Sequence, residues 1–407
     1  MTSLASLDSV QHSLSLHPRH RRRPSAVADL TGASFVSDNT AGGAPEIIAA
    51  VAAAASGQAP PYGTDSWTLS ARRRFSEIFD CDVDLLPVST GSAANALSLA
   101  ALTPPWGSVL CHRDSHINND ECGAPEFFTG GAKLIALGGE NAKIDADELQ
   151  AAVHRKVGDV HSVQPSVLSL TQATETGAVY TPAEIGHLAG IAKHAGLRVH
   201  MDGARLANAV AALGCNPAEL TWRAGVDMLS FGAIKNGGIT ADAIVVFDRS
   251  VTTELSFRAK RAGQLASKMR FAAAQLDAYL ADDLWLRNAR HANAMTARLE
   301  GGLKSIPGTR FAGQPEANIL FCRLSQQVID GLLDQGYGFY HGRWEPGVVR
   351  FVTSFATTTH DVDELVHAVR QLSAAAIEER RSKRARARKQ RSASGRRSEV
   401  ACMGRVR

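Results

Sequence analysis

Between Leu197 and Gly238 the chain reads LRVHMDGARLANAV…AGVDMLSFGAIKNGG, and two short apolar runs there each stop at a single charged side chain. The first stops at Asp202, the second at Lys235. Runs this short, bounded by glycine and separated by a helical repeat, read as strands of an α/β sheet. In an open sheet of that kind the carboxyl ends of parallel strands converge on one crevice, so an acid and an amine placed there face a common ligand.

That pair suits a pyridine ring carrying an aldehyde. A carboxylate keeps the ring nitrogen protonated, and a lysine amine condenses with the aldehyde. Each residue alone also fits a plain role: Lys235 precedes Asn-Gly-Gly, a solvated turn, and Asp202 precedes Gly203, a common turn or helix cap. Three further parts are needed, namely a phosphate cup, a group stacked on the ring, and an arginine for a carboxylate.

The chain offers candidates for each. From Leu85 to Leu102 a short strand enters Thr90-Gly91-Ser92, where a helix of small residues begins. Free amide groups and the helix dipole at such a start attract anions, although the same turn is common without a ligand. The strand Ser108 to Cys111 delivers His112 and His116, either of which can lie against a ring and exchange protons near neutrality, or simply be a loop histidine. Strands are also predicted at Lys133 to Leu137, Ser166 to Leu170 and Ala243 to Phe247, with helices at Asp145 to Val153 and Ala183 to Ala195. The predicted fold is therefore α/β, a mostly parallel sheet with helices on both faces. Leu255 to Leu303 reads as helical throughout, and Phe311 to Leu372 as a smaller α+β domain. Within the latter, Arg350 stands on the apolar strand VVRFVT, where a guanidinium needs an anion.

The domain reading is a leader at 1–33 without periodicity, a large domain at 34–250, a helical connection and small domain at 251–379, and a basic tail at 380–407. Both termini are expected to be disordered. The tail carries twelve Lys/Arg against Glu399, the leader four Arg against two Asp, and residues 34–379 are net −9 although the whole chain is +4. A solvated extension is the simple reading of the tail; nonspecific contact with nucleic acid is the alternative. No apolar run reaches the roughly 18 residues that span a bilayer. Six scattered cysteines without a C-x-x-C pair suit a reducing compartment, the cytoplasm, and no metal centre.

Together these segments resemble low-specificity L-threonine aldolases, pyridoxal-phosphate enzymes of the aspartate-aminotransferase-like fold (fold type I). The likeness spans roughly Ser34 to Leu372. It is carried by HMDGAR (His200 to Arg205), TQATE (Thr171 to Glu175), DECGAPEFF (Asp120 to Phe128), AGQLASKMRF (Ala262 to Phe271) and SFGAIKNG (Ser230 to Gly237). It implies cleavage of L-threonine or L-allo-threonine to glycine and an aldehyde, with phenylserine cleavage or another β-elimination on the same fold as alternatives. It further implies that Lys235 holds the cofactor and Asp202 its ring nitrogen, and that Arg205 bonds the ring oxygen or the substrate carboxylate. Gly91 and Ser92 would cup the phosphate, with Arg270 reaching it from a neighbouring subunit. His116 would stack on the ring and move protons, while Ser37 and Arg350 would take the carboxylate. A homo-oligomer with shared sites is implied, with Tyr62 and Asp65 in the loop that lines the neighbour's site. Ala233-Ile234 departs from the glycine pair usual before K-N-G.

Overall fold

The computed structural model describes residues 33–403; the leader up to residue 32 and residues 404–407 lie outside the described residues. A seven-stranded sheet forms the large domain, from β1 (Asp84–Val88), β2 (Gly107–His112), β3 (Lys133–Leu137), β4 (Gln164–Thr171), β5 (Arg198–Gly203), β6 (Met228–Phe231) and β7 (Asp242–Val246). Their spatial order is β1-β7-β6-β5-β4-β2-β3. Strands β6, β5, β4, β2 and β3 run parallel, while β7 is antiparallel to both of its neighbours. The expected mostly parallel sheet is thus present, with one reversed strand inside it.

Those strands are near-continuous apolar runs because helices cover both faces; β2, β5, β6 and β7 are buried along almost their whole length. Two apolar clusters flank the sheet, one including Val199, Met201, Leu229 and Phe231, the other Val109, Val167, Met228 and Ile244. Alternate residues of one strand therefore serve opposite cores, as the period of two requires.

The helical stretch expected from Leu255 to Leu303 is broken twice, into helices Thr252–Arg261, Arg270–Leu280 and Leu284–Lys304. Gly263, at φ +72°, ends the first, and Asp282 and Asp283 hold left-handed backbone between the second and third. The cores also divide the chain elsewhere than at residue 250. Ala273, Leu276 and Tyr279 pack in the large-domain core, and the long helix spans both cores, Trp285 and Ala289 in the large one, Leu299 and Leu303 in the small one.

The small domain is an antiparallel sheet of β8 (Arg310–Phe311), β9 (Ile319–Arg323), β10 (Tyr340–His341) and β11 (Val348–Val352), ordered β10-β11-β9-β8. Phe35 joins it: its amide donates to Gly338 O at 2.7 Å, and its carbonyl accepts from Val352 N at 2.9 Å. The start of the described chain is thereby tied to the small domain and lies next to the large one. A helix at Thr359–Met403 closes the chain. It carries regular structure through residues 380–403, where composition predicts none; Ala, Arg, Lys and Gln are strong helix formers that extend a helix already begun on the small core.

Candidate active site

At the carboxyl ends of the parallel strands lies a cavity of about 240 Å³. Thr90, Gly91, Ser92, Asn95, His116, Glu121, Glu175, Asp202, Lys235 and Asp242 line it. Five residues singled out in the sequence therefore meet in one place: Gly91, Ser92, His116, Asp202 and Lys235. Strand polarity explains the convergence, since β1, β2, β4, β5 and β6 all end at this edge.

Asp202 is buried at the end of β5. Its Oδ1 accepts from Ala204 N at 3.0 Å, and its Oδ2 from Asn95 Nδ2 at 2.9 Å. Lys235 sits in a 3-10 turn, Ile234–Asn236, that is tied on both sides. Asp242 Oδ1 accepts from Ala233 N and Ile234 N at 2.7 and 3.0 Å, while Asn236 Nδ2 donates to Tyr279 OH and to Trp285 O. The departure at Ala233-Ile234 is thus absorbed by an acid beneath it. Gly232, just before the turn, admits no side chain, because a Cβ there would stand 2.4 Å from Ala204 O. That close approach draws the Lys235 turn against the exit of the Asp202 strand.

The helix Gly91–Leu102 starts at Thr90, whose hydroxyl accepts from Ala93 N at 3.1 Å. The amides of Gly91 and Ser92 precede that bond and have no intrahelical acceptor, so with the Ser92 hydroxyl they form an anion cup at the cavity wall.

His116 Nδ1 lies 2.8 Å from Glu121 Oε1, leaving Nε2 as the free ring nitrogen. The hydrogen bond to Glu121 holds the imidazole's pKa above its ordinary 6.5, against burial and with help from Asp202 and Glu175. Burial also raises the Glu121 carboxyl, so both shifts make the pair retain a proton. Asn95 donates to Glu121 Oε1 at 2.8 Å as well as to Asp202, and so bridges the two acids.

Arg205 has an internal partner that the sequence did not announce. Its buried guanidinium makes a two-point pair with Asp38, Nε to Oδ2 at 2.7 Å and Nη2 to Oδ1 at 2.9 Å, and it does not line the cavity. Asn318 Nδ2 donates to the same carboxylate at 3.0 Å. Burial alone would raise the Asp38 pKa, but the Arg205 charge and these hydrogen bonds take it below its ordinary value. A depressed carboxyl contributes stability that is present above its unfolded pKa and lost as pH falls through the folded one. We expect Asp38→Ala to cost about 3–5 kcal/mol in urea unfolding at pH 7, because it strands a buried cation. The gap to the parent protein should narrow in acid; an unchanged midpoint at pH 7 would contradict the pairing.

Ser37 caps the short turn Asp38–Thr40 and donates to Asp38 Oδ1 at 3.3 Å. Asp65 is buried as the cap of helix Ser66–Ile78, accepting from Thr68 N and Thr68 Oγ1 at 2.9 Å each. Exposed Tyr62 lies under Lys260 Nζ, and Arg270 Nη1 donates to Gly57 O at 3.1 Å. Ser37, Tyr62, Arg270 and Arg350 are not among the cavity's lining residues. Sequence reading passed over Asn95, Asp242 and Asp38. The signal for Asn95 was a lone amide in an apolar helix; for Asp242 there was none, since it opens a strand and reaches this edge only because β7 is reversed.

The residues present fit a phosphorylated pyridine aldehyde: an amine, a buried acid and an anion cup share one cavity. Asn95 Oδ1 and Glu121 Oε2, on its lining side chains, are buried without a protein partner, as expected where a polar ligand completes the site.

This fold and site define a class, and comparison with known proteins agrees: residues 34–326 match the beta-eliminating lyase family, to which the chain belongs. Its relatives are narrower in name. The low specificity L-threonine aldolase of Pseudomonas aeruginosa is 44% identical over 336 residues, 83% of this chain and 96% of that protein. The enzyme of the same name from a Pseudomonas species is 41% identical over 341 residues, 84% and 98% of the two chains. Among solved structures, the threonine aldolase of Leishmania major superposes with a TM-score of 0.78 at 27% identity, covering 84% of this chain and 99% of that one. Serine palmitoyltransferase of Sphingomonas wittichii, at 15% identity, a TM-score of 0.65, and 84% and 88% coverage, shares the fold alone.

Proposed function

We propose that this protein cleaves β-hydroxy-α-amino acids, L-threonine and L-allo-threonine among them, to glycine and an aldehyde, with pyridoxal 5'-phosphate as its cofactor. The observation that carries the reading is the meeting of Lys235, Asp202, His116 and the Gly91-Ser92 helix start around one cavity. The names of the relatives point the same way.

When bound, the cofactor supplies an electron sink for the pair released as the Cα–Cβ bond breaks. The chain's own residues set up that event. Lys235 Nζ would hold the aldehyde carbon, Asp202 would keep a proton on the ring nitrogen, and the Gly91 and Ser92 amides would bind the phosphate. Arg350, helped by Ser37, binds the amino acid's carboxylate. His116, fixed through Nδ1 by Glu121, takes the β-hydroxyl proton at Nε2, directly or through one water. Arg205 acts from behind, held by Asp38.

A second copy completes the site in this reading. Arg270 and Tyr62 do not line their own cavity and would serve the neighbour's. Cys81, Cys111, Cys122, Cys215 and Cys322 are free, which supports a reducing compartment, the cytoplasm.

The test is product analysis with purified holoenzyme. Glycine and acetaldehyde should form from L-threonine, and pyruvate should not form from serine. Pyruvate without glycine would transfer the chain to the β-eliminating chemistry of its family name; release of glycine from phenylserine alone would narrow the substrate to aromatic β-substituents.

A further inference from the structure

Arg350 poses a problem that the rest of the site does not solve. It lies on β11 between Phe321 of β9 and Tyr340 of β10, and burial depresses its pKa, as does the neighbouring charge of Arg205. No carboxylate among the described residues forms an ion pair with it. Glu175 and Asp38 act on it through charge from beyond ion-pair distance, and Asp38 is spent on Arg205. Its Nε is buried without a partner, and Nη2 reaches only Val36 O at 3.5 Å, the outer limit of a hydrogen bond.

What touches the guanidinium instead is aromatic. Its carbon stands 4.5 Å from the centroid of the Tyr340 ring and 5.9 Å from that of Trp344. Tyr340 also meets Arg343, at 4.0 Å, and Trp344 packs edge-on against Phe321 at 4.9 Å. Strand register pins the arrangement, because Tyr340 and Arg350 are direct cross-strand partners.

We propose that Tyr340 is a positioning residue for substrate binding, its ring taking the place of the acid that Arg350 lacks. A carboxylate partner would hold the guanidinium but would also occupy the N–H groups that a substrate needs. A π face attracts the same cation through its quadrupole and leaves the in-plane N–H fork open to a two-point bond with a carboxylate. The inference rests on the assignment of Arg350 to the amino acid's carboxylate.

The experiment compares holoenzyme variants by steady-state kinetics and by calorimetric binding of glycine, which reads affinity without turnover. Tyr340→Leu should raise KM for L-threonine and Kd for glycine about tenfold, with the change falling on these and not on kcat. Tyr340→Phe, which keeps the ring, should recover most of that affinity. Tyr340→4-cyanophenylalanine, which keeps the shape and drains the ring face, should bind glycine severalfold more weakly than Tyr340→Phe, and it serves if the leucine variant does not fold. Equal affinity in the phenylalanine and cyano variants, or an unmoved KM in a folded Tyr340→Leu, would overturn the proposal. Arg350→Ala separates the two layers. A KM raised on the order of a hundredfold there, with Tyr340→Leu silent, overturns the positioning role alone, whereas an unmoved KM there removes the carboxylate assignment beneath it.

Discussion

Lys235→Ala is expected to abolish covalent retention of the cofactor and to cut amino-acid cleavage by roughly ten-thousandfold, a barrier increase of about 5 kcal/mol. Among the described residues the lysine is the one amine lining the cavity, so no other side chain described there can condense with an aldehyde. Its turn is held by Asp242 from below and by Asn236 from the side through bonds that do not use the Lys235 amine, so removing the side chain should leave the backbone in place. The checks are a near-visible absorption band that borohydride fixes to the protein in the parent and not in the variant, and an unchanged thermal midpoint. A variant that kept both the band and turnover would end the assignment.

Asp202→Asn is expected to lower kcat roughly a thousandfold and to weaken cofactor binding. The substitution preserves shape but removes the charge proposed to face the ring nitrogen. It also sets an amide against the Asn95 amide that now donates to Asp202 Oδ2, so two donors would face one another in a buried site. Cofactor affinity, read by fluorescence titration, separates this loss from one confined to the chemical step. Turnover within a few-fold of the parent would mean that the acid is structural and that the ring nitrogen is held elsewhere.

Much of the sheet and part of the site were legible because their signals are local. Asp202 and Lys235 each end a short apolar run, and Gly91-Ser92 follows another; a parallel sheet brings such ends together without further instruction. Asp242 was illegible for the converse reason. It begins its strand, and only the reversal of β7 between β1 and β6 turns that beginning toward the cavity. The helical breaks at Gly263 and Asp282-Asp283 were also missed, since the apolar repeat continues across them while the backbone does not.

Charge pairing shows where local reading stops. Asp38 and Arg205 are separated by 167 positions, and nothing near either residue announces the other. The resemblance gave Arg205 a ligand to bond, and the fold also pairs it with an internal acid; Arg350 looked in need of an anion, and the fold sets two aromatic rings beside it. The order of residues by itself determined the strands, the side chains at their ends and hence the chemistry the chain can perform. Which cation is neutralised, which stays available and which histidine nitrogen is free were decided only by tertiary structure, because the state of a buried polar group depends on partners that distant segments carry to it.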